Sequence, residues 1–170
     1  NESGSFGLFA SQLSGNKARF NGGAIYAAGS GTVVNTSVST NQSGAIGGGI
    51  DTLGTVAIVG TKFSANTGND GGGLSSRESA AKVTVTTSTF EDNIANGVDL
   101  GGGGAAFNYA GTLTVKDSTF KRNQAYGEGG GAIETNGTLH LANVSFDNNT
   151  AQMHTNPLPD SAPGFGGAIL

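Results

Sequence analysis

Two short boxes alternate along this chain at a nearly constant interval, and no other feature of the sequence restricts the fold as strongly. The first box reads "LSGN" at Leu13 to Asn16, "VSTN" at Val38 to Asn41, "FSAN" at Phe63 to Asn66, "FEDN" at Phe90 to Asn93, "FKRN" at Phe120 to Asn123 and "FDNN" at Phe146 to Asn149, at spacings of 25, 25, 27, 30 and 26 residues. The second is glycine-rich: "GGAI" ending at Ile25, "GGGI" at Ile50, "GGGL" at Leu74, an irregular "GGGGAAF" read as ending at Phe107, and "GGAI" again at Ile133 and Ile169. Between the boxes lie segments such as "GTVAIV", "AKVTVTT", "GTLTV" and "GTLHL", in which apolar and polar residues alternate with the period of a strand. Val83 and Val85, Leu113 and Val115, and Leu139 and Leu141 then face one side, with Thr84, Thr114 and His140 on the other. No segment sustains a helical period.

A unit of this length with three short extended pieces cannot bury a face alone. Stacked at the strand spacing of about 4.8 Å, successive units bury a continuous column of like residues. The expectation is an all-β chain: a single-stranded parallel β-helix, or β-solenoid, of about six coils of about 25–30 residues, forming one domain over residues 1–170. Inward ladders are expected from Phe63, Phe90, Phe120 and Phe146 and from Ile25, Ile50, Leu74, Ile133 and Ile169. Asn16, Asn41, Asn66, Asn93, Asn123 and Asn149 are expected to form a turn ladder, taking the left-handed conformation and bonding to the coils above and below. Glycines just before the inward Ile suit a corner that needs positive φ. After each Phe, Glu91 and Asp92 give way to Lys121 and Arg122 and then to Asp147 and Asn148, so stacked coils alternate in sign.

The composition fits a thin, repetitive core. Of 170 residues 31 are glycine, only 12% are charged and tryptophan is absent, while three prolines and the lack of a three-residue glycine period exclude collagen and proline-rich disorder. A net charge of −4 with scattered Lys and Arg offers no basic stripe, which argues against nucleic acid as a partner. Without cysteine there is no disulfide framework and no thiolate metal site. No apolar run reaches the roughly 20 residues of a membrane helix, so this segment is not expected to insert into a membrane. A start at Asn1 points to a processed, excised or truncated segment.

The paired boxes resemble the polymorphic membrane protein repeats of chlamydial outer-membrane autotransporters, in which "GGA[ILV]" accompanies "FxxN" in many copies. The resemblance extends over nearly the whole chain. It implies a right-handed parallel β-helix displayed at a cell surface or outside the cell, with adhesion to a host or neighbouring cell, through a surface protein or glycan, as the usual role. The sequence departs from the pattern where Leu13 and Val38 replace the aromatic, in the irregular fourth glycine box, and in the absence of a translocating barrel and of cysteine.

Chemistry is hard to place on these residues. Asp51, Asp99, Asp117 and Glu134 read as falling at different places in their repeats, with Arg19, Arg77 and Arg122 out of step with them, so no catalytic constellation, cofactor site or metal site is expected. His140 reads as an outward strand residue and His154 as a loop residue, both solvated. "GNDGGGL" at Gly68 to Leu74 resembles a calcium-binding nonapeptide, but a single copy reads as an ordinary turn. Outward Thr55, Thr84, Thr114 and Thr138 raise ice binding as an alternative, although Ala57 and His140 interrupt the row. Two expanded turns, "IANGVDLGG" after Asn93 and "TAQMHTNPLPDSAPGF" after Asn149, make Asn96, Asp99, His154, Asn156 and Asp160 the candidate recognition residues, and a separate expansion, "SSRESAAK", follows Leu74.

No cap is evident at either end. The residues therefore read either as a segment of a longer array or as a unit that stacks head to tail on itself into a filament. The reading is a non-enzymatic extracellular or cell-surface adhesion scaffold, with a structural filament, an ice binder and a carbohydrate-active β-helix enzyme as alternatives. The glycosylation sequons at Asn35, Asn41, Asn136, Asn143 and Asn148 bear on a secreted eukaryotic protein only.

Overall fold

Alternating apolar residues in the segments between the boxes place one side chain in two on an interior face, and the interior they build is a stack of parallel coils. The computed structural model describes residues 4–97, 102–127, 129–152 and 166–170, and every regular element among them is a β-strand. One coil runs through Ile50–Thr52, Thr55–Val59, Lys62–Ser64 and Thr67–Gly68, and each strand pairs in parallel with its equivalent one coil earlier and one coil later. Stacking generates three sheets: a five-stranded sheet from the glycine boxes, a ten-stranded sheet bent into two arms, and a six-stranded sheet from the residues after the Asn box. The chain is thus a parallel β-solenoid of about six turns.

The register follows the repeats. Phe63 pairs with Val38 and Phe90, and Phe120 with Phe90 and Phe146. Rings of Phe63 and Phe90 stack at 4.5 Å and 1°, those of Phe90 and Phe120 at 4.7 Å and 3°, and those of Phe120 and Phe146 at 5.3 Å and 19°. The strand spacing imposes this parallel stack, because one ring is carried by each rung. Beside it, Val33, Ile58, Val85 and Val115 form a second buried column and Val56, Val83 and Leu113 a third.

Each coil turns three corners, and the left-handed residues stack there. The first corner holds Ala10, Asn35, Gly60, Thr87, Asp117 and Asn143, and the second Gly15, Thr40, Ala65, Asp92, Arg122 and Asn148, all at positive φ. Here the structure corrects the sequence reading. The left-handed residue at the second corner is the one before each ladder asparagine, which leaves the asparagine itself free to turn its side chain inward. At the third corner the positive φ falls on the first glycine of the box, such as Gly47 at 65°, three residues before the inward Ile rather than next to it. A Cβ on Gly47 would stand 2.5 Å from the Ile50 carbonyl oxygen.

The fourth glycine box is also corrected. Leu74 pairs with Ala106, and Ala106 with Ile133, so Ala106 occupies the inward column and Phe107 turns to the outer face of the five-stranded sheet. The threonines do not make one row: Thr84 and Thr114 share a column with Ala57 and His140, whereas Thr55 pairs with Lys82 and Thr138 with Thr112.

Thr87 is an exposed, β-branched residue held at φ 48°. The left-handed conformation costs a non-glycine residue roughly 1–2 kcal/mol, part of which glycine returns through its freer unfolded chain. Thr87→Gly, matching Gly60 in the same corner, is expected to raise stability by about 0.5–1 kcal/mol in urea denaturation, and a loss of stability would contradict the strain ascribed to this corner.

Candidate functional site

The ladder asparagines are structural machinery of unusual completeness. Asn66, Asn93 and Asn123 are fully buried. Asn93 Oδ1 accepts from the Asn66 backbone N–H at 3.1 Å and from Asn66 Nδ2 at 2.9 Å, while Asn93 Nδ2 donates to Asn123 Oδ1 at 2.9 Å and to the Phe63 carbonyl at 3.1 Å. The same pattern runs from Asn16 through Asn41 to Asn149. A second polar ladder went unread in the sequence. Thr36, Thr61, Ser88 and Ser118 are buried, each hydroxyl donating to the carbonyl two residues earlier, and Ser88 and Ser118 accepting from the backbone N–H of the preceding coil. Its signal was present as a Ser or Thr two residues before the box aromatic.

Charged residues on the outer surface of the second arm pair across coils. Glu91 Oε2 lies 2.8 Å from Lys121 Nζ, Lys62 reaches the other carboxylate oxygen, and Arg122 bonds Asp92 in a fork at 2.8 Å. Hydrogen bonds from Lys121 and then Lys62 hold the Glu91 carboxyl below its usual value of 4.5. A depressed folded-state pKa contributes stability above the unfolded value that disappears as pH falls through the folded one. Glu91→Gln is therefore expected to cost up to about 1 kcal/mol at pH 7, with the difference from wild type closing as pH falls below the usual glutamate range. A difference that persists in acid would contradict the ion-pair origin.

A cleft of about 360 Å³ opens on the outer face of the five-stranded sheet, where Asp70, Arg77, Glu78, Phe107, Tyr109 and Glu134 line it along with Ile46 and Asn136. Its backbone comes from one column. Tyr26, Asp51, Ser75, Phe107 and Glu134 are successive rungs, each the residue after the inward position of the glycine box. This overturns the sequence reading that Asp51 and Glu134 occupy different places in their repeats, since each directly follows the inward Ile of its own glycine box.

Arg77 was likewise read as out of step, and the structure brings it onto Asp51. Its Nε lies 3.0 and 3.1 Å from the two carboxylate oxygens and its Nη2 2.7 Å from Oδ2, while the Ser75 hydroxyl donates to Oδ1 at 2.5 Å. Asp51 is fully buried under this cover. Its hydrogen bonds hold the Arg77 guanidinium more firmly protonated than usual, with a smaller contribution from Tyr26. The "SSRESAAK" expansion thus acts by carrying Arg77 and Glu78 over the sheet.

Asp70 enters from the turn before the sheet. The Gly102 backbone N–H donates to its Oδ1 at 3.1 Å, and burial pushes its carboxyl above the usual 3.8 against that hydrogen bond. Gly102 is hemmed in from the other side, since a Cβ there would collide with the Glu134 carboxylate. Phe107 is 7% exposed and Tyr109 57% exposed, with ring centroids 6.0 Å apart and planes at 56°. The cleft therefore combines carboxylates, one compensated cation and a two-ring aromatic corner.

Of the recognition residues expected from sequence, Asn96 is exposed just past the strand Ile94–Ala95, and its N–H donates to the Gly68 carbonyl at 2.8 Å. Asp99, His154, Asn156 and Asp160 lie outside the described residues. Asp117 sits at the first corner, accepting from Asn143 Nδ2 at 2.9 Å, away from the cleft column. Arg19 packs over the ring of Phe20 at 5.3 Å. His140 is exposed on the outer face of the ten-stranded sheet. Among the described residues no group of three or more His, Cys, Asp or Glu is placed to hold a metal ion. Of the sequon asparagines, Asn41 is 1% exposed within the ladder and closed to modification in the fold, whereas Asn35, Asn136, Asn143 and Asn148 are exposed.

Coils, ladders and corners together define a repeat protein of the parallel β-solenoid class. A family model described as the Chlamydia polymorphic membrane protein repeat matches residues 11–28 and 143–170. The two matched stretches are repeats of that type, and the intervening coils continue the same two boxes. No curated protein and no solved structure matches the chain. No helix among the described residues is long and apolar enough to cross a membrane.

Proposed function

We propose that this chain is a non-enzymatic adhesion scaffold, a passenger-like stretch displayed at a cell surface, whose solenoid holds a recognition surface rigidly for a protein or glycan on a host or neighbouring cell. The observation that carries this reading is the polymorphic membrane protein repeat match, at residues 11–28 and 143–170, on coils stacked in continuous register. The ladders supply rigidity and the outer face of the five-stranded sheet supplies the accessible chemistry, as expected where turn expansions decorate a repeat array. The engagement of Asp51 by Arg77 and Ser75 also favours a binding role, because it ties up one of the carboxylates a hydrolase would need available.

The test is adhesion of beads coated with the purified chain to cultured cells. Saturable attachment, competed by soluble protein and abolished by prior denaturation, is the expected result. Attachment no greater than that of uncoated beads, or release of reducing ends from a polysaccharide panel, would overturn the reading.

A further inference from the structure

The inward columns are closed in the middle of the stack and open at its two ends. Partly buried apolar side chains packed against the core fall in the first coil, as Phe6, Leu8 and Leu13, or in the last, as Leu139 and Phe146. Leu141, whose column is fully buried at Val85 and Val115, is 40% exposed. Among the described residues Thr138–Asp147 pairs only with Thr112–Lys121, and Ser5–Phe9 only with Ser30–Val34, so each end presents a strand edge. Neither edge strand holds a lysine or a proline, residues that commonly protect such an edge. The two edges match in spacing: Leu139, Leu141, Phe146 and Asn149 repeat the intervals of Phe6, Leu8, Leu13 and Asn16. Left-handed residues fall at the same points, Asn143 and Asn148 on one edge and Ala10 and Gly15 on the other, so the corners superpose. The asparagine ladder adds a direction. Each Oδ1 accepts from the backbone N–H and Nδ2 of the coil before, as Asn41 does from Asn16, and Asn149 from Asn123, at 3.0 and 2.9 Å. Among the described residues no earlier asparagine donates to Asn16 Oδ1 and no later one accepts from the Asn149 N–H, so the ends carry opposite halves of one further rung.

We propose that the last coil receives the first coil of a second copy of this chain, continuing the solenoid head to tail with Leu139 on Phe6, Leu141 on Leu8, Phe146 on Leu13 and Asn149 on Asn16. The agreement of spacing, corner conformation and ladder polarity selects this occupant over an unrelated strand. No like charges meet in this register, since Asp147 falls against Ser14 and Thr150 against Lys17. The contact is heterologous and repeats without closing, so it builds a filament growing by about 29 Å per copy, at about 4.8 Å for each of about six rungs. It uses neither the cleft nor the outer face of the five-stranded sheet, and the inference stands apart from the adhesive reading.

The experiment combines sedimentation of the intact chain over a concentration series with oxidation of a Gln12→Cys, Ser145→Cys double variant, both residues being exposed. In the proposed contact Ser145 of one copy lies one rung from Gln12 of the next, about 4.8 Å away and within the roughly 7 Å a disulfide spans. Oligomers that grow with concentration are expected, and oxidation should give a series of covalent dimers, trimers and longer species that reductant reverses. The two single variants mixed should give dimers and nothing longer, because each then carries one half of the contact. Leu141→Lys changes a side chain already 40% exposed, so the coil should fold, yet burying that charge in the contact should raise the concentration at which oligomers form by about tenfold or more. A chain that sediments as a monomer at every concentration, Ser145→Cys bridging to itself as readily as to Gln12→Cys, or oligomers indifferent to Leu141→Lys would each overturn the contact.

Discussion

Asn93→Ala is expected to cost about 3–5 kcal/mol, a large part of the stability of a domain this size. The fully buried side chain is both donor and acceptor in four hydrogen bonds that span three coils. Its removal leaves the Asn66 N–H and Nδ2 without their acceptor and the Phe63 carbonyl without that donor, inside a column water does not reach. Each unsatisfied buried group costs about 1–3 kcal/mol, partly relieved if water enters the space vacated. Asn93→Asp should be worse at neutral pH, because an oxygen then faces the Phe63 carbonyl and Asn123 Oδ1, and should recover in acid, where a protonated carboxyl can donate again. Urea denaturation at pH 7 and pH 4 reads both effects. An alanine variant within about 1 kcal/mol of wild type would mean that the ladder contributes little.

The second large effect is expected at Phe90, whose ring is stacked between those of Phe63 and Phe120 at 4.5 and 4.7 Å. Phe90→Ala removes a fully buried ring from the middle of the column, and the neighbouring rungs, pinned by backbone pairing on both sides, cannot close the gap. A loss of about 3–5 kcal/mol is expected. Phe90→Leu should cost far less, about 1–2 kcal/mol, since Val38 and Leu13 stand in the same column two and three rungs away. Because Phe90 and Asn93 belong to one coil, and Asn93 Nδ2 bonds the carbonyl of Phe63, whose ring stacks on that of Phe90, the effects of Phe90→Ala and Asn93→Ala should not sum. Equal losses for leucine and alanine at position 90 would point to a requirement for the ring itself rather than for filled volume.

Much of this architecture was legible in the boxes, because a solenoid repeats its physics. An inward side chain in one coil must resemble the one stacked on it, so periodicity reports burial directly, as the phenylalanine and asparagine columns do. Backbone conformation was less legible. Positive φ fell on Thr40, Ala65 and Arg122, residue types that do not announce it, because the corner geometry is imposed by stacked neighbours rather than by local preference. The hydroxyl ladder of Thr61, Ser88 and Ser118 was overlooked because Ser and Thr are common on outer faces of strands. The cleft was harder still. Asp51 and Arg77 lie 26 residues apart and meet because Arg77 comes two residues after Ser75, the residue paired with Asp51 in the next coil, and the displaced reading of the fourth box hid that Phe107 joins the column of Asp51 and Glu134.

The most direct measurement is cysteine cross-linking of chosen rungs, which the cysteine-free sequence makes unambiguous. Thr84 pairs with Thr114, and Thr114 with His140. Adjacent rungs at about 4.8 Å lie within reach of a disulfide, whereas Thr84 and His140, about 9.6 Å apart across two rungs, exceed its limit of roughly 7 Å. Oxidation of a Thr84→Cys, Thr114→Cys double variant should therefore give an intramolecular bridge, and a Thr84→Cys, His140→Cys variant should stay reduced. Bridging of the second pair in preference to the first would contradict the stacked register on which the fold, the ladders and the cleft all depend.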